Sequence, residues 1–108
     1  DGRVALLGDA AHPMMQYMAQ GACMAMEDAV CLGDSLDRTD SIESGLKTYH
    51  DRRLLRTARV QLMSRAMGDH VYHPAGPHAA LRNALMSAKS QDDWLDTLAW
   101  LYGGNGLD

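Results

Sequence analysis

The 108-residue sequence has no phenylalanine, only two cysteines, and no long run of apolar or of basic residues. The lack of a long apolar run argues against a membrane protein, and the lack of a basic run argues against a nucleic-acid-binding protein. No apolar run approaches the ~20 residues that cross a bilayer, and the N-terminus lacks the pattern of a signal peptide, so we expect no membrane partner and a cytoplasmic location. A net charge of −4 without a basic run also argues against a nucleic-acid partner.

The cysteines and histidines indicate neither a disulfide nor a metal site. Cys23 and Cys31 are eight residues apart on one predicted helix, which separates their Cα atoms by about 12 Å, beyond disulfide reach. We interpret both as reduced, buried, small apolar residues. The spacing of His70, His73 and His78 fits no strong metal-ligand pattern.

The strongest strand signal is the run Arg3-Val4-Ala5-Leu6-Leu7, at the very start of the chain. No second strand signal is strong enough to pair with it, and a lone strand cannot satisfy its own backbone hydrogen bonds. Either its sheet partners are encoded upstream or it pairs with a second copy of the chain in a homodimer. Because the chain also opens on Asp1 rather than Met, we interpret it as a fragment.

The rest of the sequence predicts helices. Residues 22 to about 36 are apolar on nearly every face except Glu27 and Asp28, which is typical of a helix buried all round. Thr39 and Asp40 provide caps for a second helix that ends at Met67. We divide the chain into a strand and loop (1–21), two long helices (22–67), and a loop with short helices at His78–Ala88 and from Ser90 to Leu101 (68–108).

The second long helix carries two arginines within an otherwise apolar stripe. The stripe follows steps of four and three: Ile42, Leu46, Tyr49, Arg53, Arg56, Val60, Met63 and Met67. An unpaired cation on a buried face is costly. We therefore predict that Arg53 and Arg56 pair with Glu27 or Asp28 and lock the preceding helix in place; a direct contact with a ligand is the alternative.

The segment between the strand and the first helix suits an extended, hydroxyl-bearing ligand. Gly8 lets the chain turn sharply, and Asp9 can accept hydrogen bonds from a sugar-like hydroxyl. Gly21 and Ala22 leave the first helical N–H groups uncovered, which favours negative charge on a ligand. Gly-Asp after a strand is common, and many such aspartates only cap turns, so the dipeptide alone decides nothing.

The longer string around this dipeptide is specific. It closely resembles the second flavin-contact motif of the single-component FAD-dependent aromatic hydroxylases, and is most similar to the salicylate hydroxylase and 6-hydroxynicotinate monooxygenase branch. The resemblance is carried by residues 1–14, 18–22 and 26–29, and further by Tyr72-His73-Pro74, Gly76-Pro77 and the stretch Trp100-Leu101-Tyr102-Gly103.

The resemblance implies a fold, two cofactors and a set of site residues. The chain would be the mainly α C-terminal part, with one N-terminal strand, of an α/β FAD-binding fold. Asp9 would bind the ribityl chain of FAD, and Pro13 would lie beside the flavin ring at the catalytic carbon. Backbone N–H groups of Gly21, Ala22 and Cys23 would face the pyrimidine end of that ring, where a helix N-terminus favours negative charge.

The activity implied belongs to a complete enzyme. In enzymes of the family that the chain resembles, NADH or NADPH reduces the flavin, O₂ adds to give a hydroperoxide, and its distal oxygen attacks a small aromatic substrate, a phenol or hydroxypyridine. This sequence has no Gly-x-Gly-x-x-Gly after a strand, so the part that holds AMP would lie upstream. We expect the 108 residues alone to be inactive. The competing hypotheses are a non-catalytic helical fragment that self-associates through exposed apolar surface, and an unrelated helical binding module.

Several side chains keep two interpretations. His12 either touches flavin or substrate, or bonds the backbone and holds the loop in shape. Met14, Met15 and Met18 either line an aromatic pocket through sulfur contacts or fill gaps in the core. Three aromatic residues near the C-terminus are expected to pack the last helix onto its neighbours: Trp94, Trp100 and Tyr102.

Overall fold

A computed structural model describes residues 2–104 and 107 of the chain, and these fold mainly into α-helices. The helices are α1 (Gly21–Asp37), α2 (Ile42–Met67), α3 (Gly76–Ser87) and α4 (Gln91–Tyr102). Single 3-10 turns lie at Gly8–Ala10 and Gln16–Met18, and a π-helical turn, Gly68–Tyr72, continues α2 into the segment predicted as loop. The prediction of a mainly helical chain is confirmed.

The predicted N-terminal strand is wrong for the described residues. The segment before Gly8 is extended, with Leu7 at φ −138° and ψ 147°, but it pairs with no second strand there. Two described contacts attach it to α2: the Tyr49 hydroxyl donates to the Leu6 carbonyl over 3.0 Å, and Arg3 forms an ion pair with Glu43 over 3.4 Å. A strand is defined by a partner that shares its hydrogen bonds, and the described residues supply none. Asp1, which opens the motif string, lies outside the described residues.

Helix α1 buries one stripe rather than its whole surface. Its sequence is rich in Ala, Met and Leu, which favour the helical state. The buried positions follow helical spacing: Met24, Asp28, Cys31 and Ser35. Met26 and Val30 are 63% and 59% exposed, and Cys23 is also exposed. The predicted burial is therefore confirmed for Cys31 and wrong for Cys23 and for the face that carries Met26 and Val30, which no described residue covers.

The N-cap of helix α2 lies one residue after Asp40, the second of the two predicted caps. Ser41 is the N-cap, and its hydroxyl accepts a hydrogen bond from the Ser44 N–H over 3.2 Å. The predicted capping by Thr39 and Asp40 is wrong, because the Thr39 hydroxyl instead donates to the Ser35 carbonyl at the end of α1. The buried stripe of α2 is also more polar than predicted: Gly45, Tyr49, Arg53, Thr57, Val60 and Ser64.

Helices α1 and α2 form an antiparallel pair, as contacts of Leu36 with Gly45 and of Glu27 with Arg56 require. The apolar core consists of Met24, Val60 and Leu101, with Met14, Met18 and Trp100 packed against it. Met14 and Met18 therefore fill the core, whereas Met15 is exposed.

The last two helices begin at clear local signals. Pro77 lies in the first turn of α3, and Ser90 and Asp93 form a capping box at α4, which confirms the predicted Ser90 cap. Trp100 packs on the core, and the Arg59 guanidinium lies 4.0 Å from its ring centroid. Tyr102 is 67% exposed, so the predicted packing is wrong for this residue. No helix within the described ranges has the length and apolar character needed to span a membrane.

Candidate functional site

The turn at Gly8 requires glycine for two independent reasons. Its φ is +56°, a left-handed conformation that side chains disfavour. A Cβ built on Gly8 would also lie only 3.2 Å from the Ala25 Cβ on α1. The Gly8 carbonyl accepts hydrogen bonds from the N–H groups of Ala11 and His12, each over 2.9 Å. The chain therefore turns sharply against α1 and presents the next residue, Asp9, to the solvent.

The Asp9 carboxylate lies at the N-terminus of α1. Its Oδ1 is 3.8 Å from the position that a Cβ would take on Gly21. The first backbone bond of the helix runs from the Met24 N–H to the Gln20 carbonyl, and the Gln20 side chain does not cap the helix. The N–H groups of the first three helical residues, Gly21, Ala22 and Cys23, thus precede the hydrogen-bonded ladder. The Asp9 carboxylate, an acceptor, therefore lies next to the N–H donors of the first turn of α1. Together these groups suit a polar, hydroxyl-bearing ligand.

The loop between Asp9 and α1 is attached to α2 and to the turn that follows it. Gln61 Nε2 donates to the carbonyl of Pro13, an exposed residue, over 2.8 Å. The Tyr17 hydroxyl lies 2.5 Å from His73 Nε2, and its ring covers Gly68. These contacts join residues 48 and 56 positions apart, so no local sequence signal predicted them.

The predicted pairing of the α2 arginines with the acidic residues of α1 is confirmed. Arg53 donates to Asp28 Oδ1 over 2.7 Å and to Glu27 Oε2 over 2.8 Å. Arg56 forms a two-pronged bond with Glu27, with both N···O distances at 2.7 Å. Such fork-shaped pairs give directional attachment as well as attraction. The four side chains connect α1 to α2 directly behind the Gly8 turn.

The network shifts the pKa values of Asp28, Glu27 and Arg56 toward the charged forms. Burial raises the pKa of the Asp28 carboxyl, but hydrogen bonds from Arg53, Gly8 and His12 lower it by more, so it lies below its usual value. Burial likewise raises the pKa of Glu27, and its bonds to Arg56 and Arg53 outweigh that effect. The bond to Glu27 raises the pKa of Arg56. Both carboxyls are therefore ionised acceptors at neutral pH.

His12 belongs to the same network, a connection that the sequence did not predict. Its Nε2 lies 2.5 Å from Asp28 Oδ2, and because Asp28 is ionised we infer that Nε2 carries the proton. His12 Nδ1 is buried and has no hydrogen-bond partner within the described residues. The ring is itself buried, which favours the interpretation that His12 holds the shape of the loop.

The remaining histidines do not converge. The rings of His70 and His78 are 5.6 Å apart, and His73 is paired with Tyr17. Among residues 2–104 and 107, no three His, Cys, Asp or Glu side chains come together as metal ligands do. Cys23 and Cys31 are free thiols.

Comparison with known proteins adds a family match and close relatives. A family profile described as "FAD binding domain" matches residues 1–64. The chain is 57% identical over 103 residues to 3-hydroxybenzoate 6-hydroxylase 1 of Aquipseudomonas alcaligenes, a match that covers 95% of the chain and 26% of that protein. It is 49% identical over 105 residues to 3-hydroxybenzoate 6-hydroxylase of Polaromonas naphthalenivorans, with 96% and 26% covered.

A relative from the branch that the sequence resembles also matches. The chain is 46% identical over 65 residues to 6-hydroxynicotinate 3-monooxygenase of Bordetella bronchiseptica, a match that covers 58% of the chain and 17% of that protein. The chain thus spans about a quarter of the length of the curated relatives that match it along nearly all its residues.

Proposed function

The chain belongs to the family of FAD-binding domains, and on that premise we propose that residues 8–23 form the ribityl and flavin-ring side of an FAD site. The Asp9 carboxylate accepts hydrogen bonds from ribityl hydroxyls. The N–H groups of Gly21, Ala22 and Cys23 face the pyrimidine end of the ring, and Pro13 lies beside the ring.

The observation that carries this proposal is the closeness of the Asp9 carboxylate to the first turn of α1. A ribityl chain offers hydroxyl donors, and a flavin ring offers carbonyl acceptors at its pyrimidine end. The carboxylate accepts from the former, and the free N–H groups donate to the latter, so the residues present fit FAD. The helix N-terminus also carries a partial positive charge, which stabilises negative charge on a bound ring.

We further propose that the intact protein is a flavin-dependent monooxygenase that hydroxylates an aromatic ring. FAD, when bound, supplies the transfer of electrons from NADH or NADPH and the activation of O₂. The role of this chain is to hold the ring, to place Pro13 against it and to stabilise negative charge at its pyrimidine end. The loop that carries these groups is attached to α2 through Gln61 and to the turn after α2 through His73.

The names of the relatives suggest a substrate class. The hydroxylases act on 3-hydroxybenzoate, and the monooxygenases act on 3-amino-4-hydroxybenzoate or 6-hydroxynicotinate. All are small aromatic carboxylates that also carry a hydroxyl group. We therefore propose a hydroxylated aromatic carboxylate as substrate. Oxidation of NADH or NADPH by the intact protein, with hydroxylated product identified by mass spectrometry, tests this class; coenzyme oxidation that yields only hydrogen peroxide with all such acids would contradict it.

The Asp9→Ala change tests the FAD site in the intact protein. Loss of hydrogen bonds to a charged acceptor is worth about 1.5–3 kcal/mol, so we expect the Kd for FAD to rise about 10- to 100-fold. Fluorescence titration of the apoprotein measures this. The control is Asp37→Ala, which removes an exposed carboxylate at the far end of α1. Unchanged FAD affinity in Asp9→Ala would contradict the proposed FAD site, because the position of this carboxylate carries the proposal.

A further inference from the structure

Asp28 is the point at which the loop, α1 and α2 meet. Its side chain is fully buried on α1. Oδ2 accepts hydrogen bonds from the Gly8 N–H over 3.0 Å and from His12 Nε2 over 2.5 Å, while Oδ1 accepts from Arg53 Nε over 2.7 Å. One carboxylate therefore binds both ends of the Gly8 turn and, on its other oxygen, a cation from the neighbouring helix.

The chemistry of these partners requires a carboxylate. All three are donors, and an ionised carboxylate offers acceptor sites only. An amide of the same shape would point two N–H groups at the partners of one oxygen and leave buried donors facing each other. The positive charge of Arg53 balances the buried negative charge, which would otherwise be costly to bury.

We propose that Asp28 is a positioning residue for the FAD site, which acts by holding Gly8 and His12 so that the Asp9 carboxylate stays beside the first turn of α1. This inference rests on the proposed function. Asp28 would not contact FAD directly, because its side chain is fully buried and bonded to Gly8 and His12 of the turn. It acts through the Gly8 backbone, because the Gly8 N–H donates to Asp28 and Gly8 directly precedes Asp9 in the chain.

The neighbouring residue, Glu27, provides a matched control. Glu27 and Asp28 are adjacent on α1, both are acidic, and both pair with Arg53. The hydrogen bonds described for Glu27 run only to Arg53 and Arg56, whereas those of Asp28 also reach the loop. Neutralising either residue disturbs the contact between α1 and α2, but only Asp28 connects that contact to the turn before Asp9.

The experiment compares Asp28→Asn with Glu27→Gln in the intact protein. We expect both variants to lower the melting temperature of the apoprotein, because each removes a negative charge that pairs with the arginines of α2. We expect Asp28→Asn to raise the Kd for FAD about tenfold or more, and Glu27→Gln to change it less than about threefold. At saturating FAD, the visible circular dichroism of the bound flavin should change in Asp28→Asn and match wild type in Glu27→Gln.

Four outcomes decide between the hypotheses. Equal weakening of FAD binding by both variants, or full affinity in Asp28→Asn, would overturn the positioning role. If Asp28→Asn does not fold, His12→Phe replaces it: this change keeps a ring but removes one donor to Asp28, and unchanged affinity and dichroism in it would equally overturn the role. If Asp9→Ala leaves FAD binding unchanged, the proposed site itself fails, whatever the Asp28 variants show.

Discussion

At the scale of single residues, charge and backbone conformation explain the shape of the candidate site. Gly8 takes a conformation that other residues resist, and a Cβ there would be in tight contact with the Ala25 Cβ. Asp28 and Glu27 are ionised because their hydrogen bonds outweigh the effect of burial on the pKa: those from Arg53, Gly8 and His12 at Asp28, and those from Arg56 and Arg53 at Glu27. Tyr49 remains a hydrogen-bond donor to the Leu6 carbonyl at any ordinary pH, since burial and the nearby Asp28 charge raise its pKa to about 12.

The lowered pKa values of Glu27 and Asp28 predict instability in acid. The unfolded chain takes up protons near the usual values of 4.5 and 3.8, whereas the folded chain does so at lower pH. Falling pH therefore favours unfolding, and the stability contributed by these carboxyls is full above about pH 4.5 and declines as pH falls through their folded pKa values. Thermal unfolding of the protein between pH 7 and pH 2.5 should show the melting temperature dropping in this range.

The double variant Glu27→Gln, Asp28→Asn serves as the comparison for this acid effect. Its melting temperature should depend less on pH than that of wild type, although it is lower at pH 7. A residual slope is expected from surface carboxyls whose pKa values are also lowered, namely Asp34, Asp51 and Asp93. Parallel curves for variant and wild type would show that other groups account for the effect.

At the scale of secondary-structure elements, close approaches at glycine join the helices to each other and to the loop. In α2, Gly45 faces Leu36, at the end of α1. Gly68, in the π-helical turn, faces the ring of Tyr17 from the loop. π-helical turns occur often at functional sites, and this one holds the loop through Tyr17 and His73. A close contact at glycine thus joins α2 to α1 at Gly45, and joins the π-helical turn to the loop at Gly68.

Replacing each of these glycines by alanine tests the two contacts independently. A Cβ would lie 2.7 Å from Leu36 Cδ2 at Gly45 and 2.5 Å from Tyr17 Cε2 at Gly68. Such overpacking costs about 1–3 kcal/mol, so both Gly45→Ala and Gly68→Ala should lower the free energy of unfolding, measured with urea. Only Gly68→Ala should also weaken FAD binding in the intact protein, because it displaces the loop. Equal FAD affinity in the two variants would show that the loop does not depend on this contact.

At the scale of the whole molecule, the described chain is elongated and leaves much apolar surface exposed. Its radius of gyration is 17.3 Å, whereas a compact domain of this length has about 13 Å. Apolar side chains are exposed on every helix, among them Met26, Val30, Leu54, Leu55, Leu62, Leu81, Leu85, Leu95 and Leu98. Surface of this kind marks places where another protein surface is expected to pack.

The exposed apolar surface predicts that the 108-residue chain, expressed on its own, self-associates. Light scattering coupled to size-exclusion chromatography should give a mass that rises with concentration above the 11.8 kDa of one chain. Because the contact is apolar, sulfate should strengthen the association, while moderate sodium chloride should not abolish it. A monomer at the highest attainable concentration would contradict this prediction and the hypothesis of self-association.

The sequence by itself determined the features that depend on neighbours along the chain, and on charge. Helical spacing and caps located the helices to within a few residues, and the cost of an unpaired buried cation predicted that Arg53 and Arg56 pair with the acidic residues of α1. The tertiary structure alone decided that the Gly8 N–H donates a hydrogen bond to Asp28 and that the Tyr17 hydroxyl is hydrogen-bonded to His73. It also decided that the extended segment forms no strand within the described residues. Such features join groups far apart in sequence, and only the packing of α1 against α2 brings those groups within hydrogen-bond distance.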